Sequence, residues 1–138
     1  MKPAIAVGIG CRKGCAGDAI AALVRRALAS LGSTQPGEAE RRQGISLFSS
    51  EDKRSEQGLV DAATALDLPL ILLPQARLLA AAPRCETRSA RVEALFGLPS
   101  VAEAAALAGA GENSRLVVKR ISEAGASCAV AQPSEIAP

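Results

Sequence analysis

The sequence predicts an α/β fold: a three-layer α/β/α sandwich on a mixed, mainly parallel sheet, completed by a C-terminal antiparallel hairpin. Three observations lead there. Apolar runs at 4–9, 45–48 and 69–73 alternate with segments of helical periodicity. The connections between them are short, which favours right-handed crossovers and helices on both faces of the sheet. Two more apolar runs, 116–118 and 126–131, flank Glu123-Ala124-Gly125 as the strands of a hairpin flank its turn.

Each element has its own signal. Residues 4–9 (Ala-Ile-Ala-Val-Gly-Ile) are continuously apolar, as a buried parallel strand is. Ile20, Leu23, Val24, Ala27, Leu28 and Leu31 then recur at helical spacing, with Gly32 placed as a stop. The polar segment 33–43, with Pro36 and Gly37, predicts an exposed loop. Ile45-Ser46-Leu47-Phe48 is the second strand. The block Ser49 to Ser55 opens a second helix whose apolar face is Leu59, Ala62, Ala63 and Leu66. Pro69 to Leu73 is the third strand, and 75–82 and 88–96 make short helices around a break at Pro83. Ser100-Val101-Ala102-Glu103 has the spacing of a capping box, Ser as N-cap and Glu at N3, and opens an Ala-rich helix ending at Gly109 to Gly111. Residues 132–138 read as a loose tail.

A length of 138 residues fits one domain, 1–138. Apolar residues make up 49%, yet there are two Phe and no Trp or Tyr, so the core must be built from Ala, Leu, Val and Ile. Net charge is +2, and the 16 basic residues form no long run. Without a basic stripe or aromatic stacking platforms, nucleic acid is a poor partner. The absence of His excludes Ser-His-Asp and Cys-His catalysis. Cys11, Cys15, Cys85 and Cys128 do not have CxxC spacing, and a zinc site lacking His would need all four. Reduced thiols, with Cys85 and Cys128 partly buried, are the expectation; no metal or cofactor is expected. The most apolar stretch, Leu66 to Ala82, is broken by Asp67, Pro69, Pro74 and Arg77, so it predicts no membrane span. A cytoplasmic protein is expected.

The most informative segment is Gly8-Ile9-Gly10-Cys11-Arg12-Lys13-Gly14, between the first strand and the first helix. Glycine allows sharp turns and close approach to a ligand. The amides and dipole of a following helix favour a carboxylate or phosphate by about 0.3–1 kcal/mol, and Arg12 and Lys13 add formal charge. In α/β folds ligands sit beyond the carboxyl ends of the strands, where this loop and the Ser49 to Ser55 block both fall. A dinucleotide site matches poorly: the third glycine is one residue late, and Glu51 and Asp52 lie roughly 40 positions on instead of about 20. A P-loop would need Gly-Lys-Ser/Thr, and here Lys13 precedes its glycine.

Four elements in order resemble the CobE/CbiG family of cobalamin biosynthesis proteins: residues 8–14, Asp-Lys-x-x-Glu-x-Gly-Leu at 52–59, Gly-Leu-Pro-Ser-Val-Ala-Glu-Ala-Ala-Ala-Leu at 97–107, and Lys119. The resemblance spans most of the chain. Longer members carry this module behind further N-terminal domains and hydrolyse the lactone of cobalt-precorrin-5A, releasing acetaldehyde. The module alone is similar to stand-alone members of the aerobic pathway, whose role is tied to corrin-ring synthesis. The ligand so implied is a precorrin or hydrogenobyrinic-acid-type corrinoid, an apolar macrocycle ringed by carboxylates, with another pathway enzyme as a partner.

On that reading Gly8, Gly10, Cys11, Arg12, Lys13, Gly14, Lys53, Ser100 and Lys119 are the candidate substrate-binding residues. Asp52, Glu56 and Glu103 are the carboxylates available for proton handling. Each has a structural alternative. Asp52 and Glu56 suit a helix start, where they offset the dipole and pair with Lys53 or Arg54. Glu103 suits N3 of its capping box, and Lys119 in a strand either snorkels to an edge or points into a site. Two functions stay open: a corrinoid binder or carrier, and a lactone hydrolase with an oxyanion stabilised by Arg12, Lys53 and loop amides. A nucleotide-binding domain is a distant third.

Overall fold

Ile5, Val7 and Ile9 face one side of the first strand and Ala6 and Gly8 the other, and the two sides are covered by different helices. The computed structural model describes residues 5–31 and 44–134. In chain order these form β1 (Ile5–Cys11), α1 (Gly17–Ala29), β2 (Ile45–Ser50), α2 (Gln57–Leu66), β3 (Leu70–Leu73), α3 (Gln75–Ala81), α4 (Ala90–Phe96), α5 (Val101–Ala110), β4 (Ser114–Glu123) and β5 (Ala126–Pro133). Short 3-10 turns at Glu51–Lys53 and Ala82–Arg84 precede α2 and follow α3. Gly32, the 33–43 loop, Ala4 and residues 135–138 of the expected tail lie outside the described residues.

The sheet order is β3-β2-β1-β5-β4. β1 pairs parallel with β2, and β2 with β3; β1 pairs antiparallel with β5, and β5 with β4. The fold is α/β and the sheet is mixed, with two parallel and two antiparallel pairings, so the expected mainly parallel sheet is corrected. The reason is the placement of the hairpin: β5 enters the sheet directly beside β1 and antiparallel to it, and β4 follows antiparallel to β5. Its strands extend past 116–118 on both sides and two residues past 131. Gln132 and Pro133 therefore belong to β5 and not to a loose tail.

On one side of the sheet Ile5, Val7 and Ile9 pack with Ile20, Leu23 and Val24 of α1 and Leu59 and Ala62 of α2. On the other, Ala6 packs with Phe48, Leu78 and the small residues of α5. Apart from Gly109, every residue of α5 is buried, and a helix whose residues are apolar but for Glu103 belongs in a core. Its alanines let it lie close to the sheet, and Gly8 makes that possible. An ideal Cβ there would stand 1.9 Å from the Ala102 carbonyl oxygen and 2.5 Å from the Ala106 nitrogen.

Gly8 and Gly10 are therefore strand residues, which removes the tight glycine turn a nucleotide fingerprint would need. The turn comes later, at Gly14, where φ is +78°. β4 is also irregular: its register against β5 shifts by one residue between Leu116 and Val118 and again between Val118 and Ile121. Each shift is a β-bulge, which turns the following side chains to the opposite face.

Candidate functional site

The end of β1, the β4–β5 turn, α4 and the start of α5 surround a cleft of about 500 Å³, a size typical of ligand pockets. β1 and the segment after it supply Gly10, Cys11, Arg12 and Lys13, and the turn after β2 supplies Lys53. Ser100 and Val101 come from the N-terminus of α5, and Arg91, Val92 and Leu95 from α4, with its N-cap Ser89. Arg120 and the residues from Ser122 to Ser127 close the remaining side. Five lining residues are cationic (Arg12, Lys13, Lys53, Arg91 and Arg120) and one, Glu123, is acidic. That acid is engaged elsewhere, at 2.7 Å from Arg26 Nη1.

Apolar surface lies beside these charges. Leu95 is 63% exposed, unusual for a leucine, and it lines the cleft together with Val92, Val101 and Ala126. Burial pushes the Cys11 thiol up to about 11, against the opposing pull of the Lys53 ammonium. All four cysteines are free; burial raises Cys85 to about 11 and the buried Cys128 to about 12. Among the described residues no group of three or more His, Cys, Asp or Glu is placed to hold a metal.

Of the residues singled out in the sequence, Gly10, Cys11, Arg12, Lys13, Lys53 and Ser100 meet at the cleft. The others have different places. Gly8 lies under α5. Gly14 donates its amide to Glu56 Oε1 at 2.8 Å. Glu56 is the N-cap residue of α2, and Asp52 sits in the exposed 3-10 turn before it, its amide donating to Ser50 Oγ at 3.1 Å. None of these three lines the cleft. The first turn of α1 is also outside it, so the helix starts that open on the cleft are those of α5, marked by Ser100, and of α4, marked by Ser89.

Glu103 departs furthest from expectation. Ser100 Oγ accepts from the Glu103 amide at 3.1 Å, as an N-cap should. The Glu103 carboxylate does not complete the capping box by returning to Ser100; fully buried, it turns outward to other segments. Oε1 accepts from the amides of Glu86 at 2.7 Å and Thr87 at 2.9 Å. Oε2 accepts from the Thr87 hydroxyl and from the Arg120 amide, the latter at 2.9 Å. Burial alone would raise its pKa, but the Thr87 hydroxyl and these three amides outweigh burial and hold it below the ordinary carboxylate value.

Of the two places open to it, an edge and a site, Lys119 takes the first. It is largely exposed, with Nζ 3.5 Å from Glu86 Oε1, while its neighbour Arg120 lines the cleft. The bulge between Val118 and Ile121 explains the exchange, because alternation read from sequence fails across an extra residue. Arg120 and the α4 residues Arg91, Val92 and Leu95 carried no motif signal; only their convergence in space marks them.

A mixed α/β sheet with a cationic, partly apolar cleft at the end of its central strand defines the architecture, and comparison with known proteins supplies the family. The family described as cobalamin synthesis G C-terminus matches residues 5–131. Protein CobE from Sinorhizobium sp is 35% identical over 133 residues, covering 96% of this chain and 82% of that protein. The crystal structure of CobE, a protein from the cobalamin (vitamin B12) biosynthetic pathway, superposes with a TM-score of 0.81 at 37% identity, covering 96% of this chain and 92% of the other. The cobalamin biosynthesis protein chiG from Agrobacterium tumefaciens str. C58 gives a TM-score of 0.66 at 35% identity, with coverages of 95% and 99%. The chain therefore belongs to the cobalamin synthesis G C-terminal family and is a cobalamin biosynthesis protein. Among the described residues no helix is long and apolar enough to cross a membrane.

Proposed function

We propose that this protein binds a precorrin or hydrogenobyrinic-acid-type corrinoid in the cleft and carries it, in the cytoplasm, to another enzyme of the aerobic cobalamin pathway. The observation that carries this reading is that five cations share one cleft with apolar residues, among them the exposed Leu95. Such a macrocycle presents carboxylates at its rim and an apolar face. A hydrogen bond to a charged group contributes about 1.5–3 kcal/mol. Arg12, Arg91 and Arg120 can fork onto carboxylates, whereas Lys13 and Lys53 act as point charges. Val92, Leu95 and Val101 line the same cleft and would cover part of the ring.

Binding without turnover is the form of the proposal that the carboxylates favour. Lactone hydrolysis needs a base to activate water. Asp52 and Glu56 stand outside the cleft lining, and the oxygens of Glu103 are occupied by four donors. Titrating the purified protein with hydrogenobyrinic acid, while following the ligand's absorption bands, is expected to give saturable spectral shifts; no shift at any concentration would defeat the proposal. Incubation with the lactone-bearing intermediate is expected to release no acetaldehyde. Catalytic release lost in Glu56→Gln or Glu103→Gln would establish the hydrolase instead.

A further inference from the structure

A charged carboxylate shut away from water is costly unless several donors satisfy it. Glu103 has four, and they belong to two segments distant from each other in sequence. The amides of Glu86 and Thr87 and the Thr87 hydroxyl lie at the start of the segment leading into α4. The Arg120 amide lies in the second bulge of β4. Both segments lead into walls of the cleft: α4 brings Arg91, Val92 and Leu95, and β4 brings Arg120. Between them stands the N-terminus of α5, whose third residue is Glu103 itself.

We propose that Glu103 is a positioning residue that couples the two walls of the cleft, fixing the β4 bulge that aims Arg120 and the approach of α4, without touching the ligand. Stabilisation of α5 does not require this arrangement, since Ser100 already caps the helix. The Ser89 amide donates to the Pro99 carbonyl at 2.9 Å, so the segment is tied at both ends: by that bond near α5 and by the Glu103 carboxylate at 86–87. Replacing one carboxylate oxygen with an NH2 group sets a donor against donors, so Glu103→Gln loosens the junction with almost no change of shape. Insofar as it concerns ligand affinity, the inference rests on the corrinoid reading above.

The test is a double-mutant cycle on hydrogenobyrinic acid affinity, with amide hydrogen exchange measured on the same proteins without ligand. Glu103→Gln is expected to weaken binding about tenfold. The same substitution in an Arg120→Ala background is expected to cost less than about threefold, because coupled residues are non-additive. Fully multiplicative effects, or wild-type affinity in folded Glu103→Gln, would overturn the proposal. Exchange is expected to quicken at Glu86, Thr87, Arg120 and through α4 while β1 stays protected. Unchanged exchange, or an equal rise across β1, overturns it independently of any ligand. Should wild-type protein fail to bind the corrinoid, the functional reading falls and the exchange result still decides the coupling. Thr87→Val, which removes one donor, serves if Glu103→Gln does not fold.

Discussion

Glu56 Oε1 accepts the amide of Gly14 at 2.8 Å, joining the two segments that stand out most in the sequence across 42 residues. The bond closes the turn after β1 onto the start of α2. Arg12 and Lys13 lie within that turn, so its shape decides where both cations point. The Glu56 side chain is accounted for by this contact, and that gives it a structural assignment a substitution can check.

Glu56→Ala is expected to lower stability by about 1 kcal/mol, the usual value of a lost hydrogen bond. Glu56→Gln retains an acceptor oxygen and is expected to cost less than half of that. Urea denaturation of the two variants separates them. Equal losses would show that charge, and not the bond to Gly14, is what Glu56 contributes.

Gly8 and Gly14 should respond oppositely to alanine. At Gly8 the new methyl meets α5 backbone atoms that no side-chain rotation can move, so Gly8→Ala is expected to cost roughly 3 kcal/mol or more. At Gly14 nothing lies within 4 Å of an ideal Cβ, and only the left-handed backbone opposes the change, at about 1–2 kcal/mol. Thermal unfolding of both variants measures the difference; a milder effect at Gly8 than at Gly14 would contradict the packing of α5 on β1.

The cleft cations should act on affinity and not on folding. Arg12→Ala and Arg120→Ala are each expected to weaken hydrogenobyrinic acid binding roughly tenfold or more, as loss of a charged hydrogen bond implies. Arg12 is exposed, so its removal should leave the denaturation midpoint within about 0.5 kcal/mol of the original. Raising salt from 0.05 to roughly 0.5 M should weaken binding to the wild type more than to either variant. Salt-independent titrations would rule out a cationic rim.

Glu103 predicts a definite acid limb. The unfolded carboxyl binds its proton at an ordinary value of 4.5 and the folded one lower. Its contribution is therefore complete above that value and lost as pH falls through the folded pKa. Wild type is expected to be the more stable at pH 7, with its advantage over Glu103→Gln shrinking as pH is taken below about 4.5. A constant gap down to about pH 2.5, by urea midpoints, would show that folding does not lower the proton affinity of Glu103.

Local signals made the elements readable. The continuous apolar run gave β1, the spacing of Leu59, Ala62, Ala63 and Leu66 gave α2, and Ser100 marked the start of α5. The mixed balance of the sheet was not readable, because the placement of β5 beside β1 depends on which edge the hairpin chooses. Gly8 was ambiguous for a physical reason: a glycine that bends a loop and one that makes room for a helix look alike until the neighbour is known. Arg12, Lys13 and Lys53 were legible as cations near strand ends, and they meet in space. Arg120 was not, because a bulge changes which residue faces the cleft and leaves no mark in composition. Arg91, Val92 and Leu95 depend on how a seven-residue helix docks, which is fixed by the distant Glu103.

β4 is the outer strand beside β5, and it offers its other edge to any chain that can pair with it. A flat strand of ten residues there would be a template for association. The two bulges twist its hydrogen-bonding row, and the exposed Arg115 and Lys119 place charges along it. The opposite edge, β3, is protected more simply by being four residues long. The distortion that aims Arg120 at the cleft thus also guards against self-assembly. A variant engineered to straighten β4 should lose solubility at concentrations where the parent remains monodisperse.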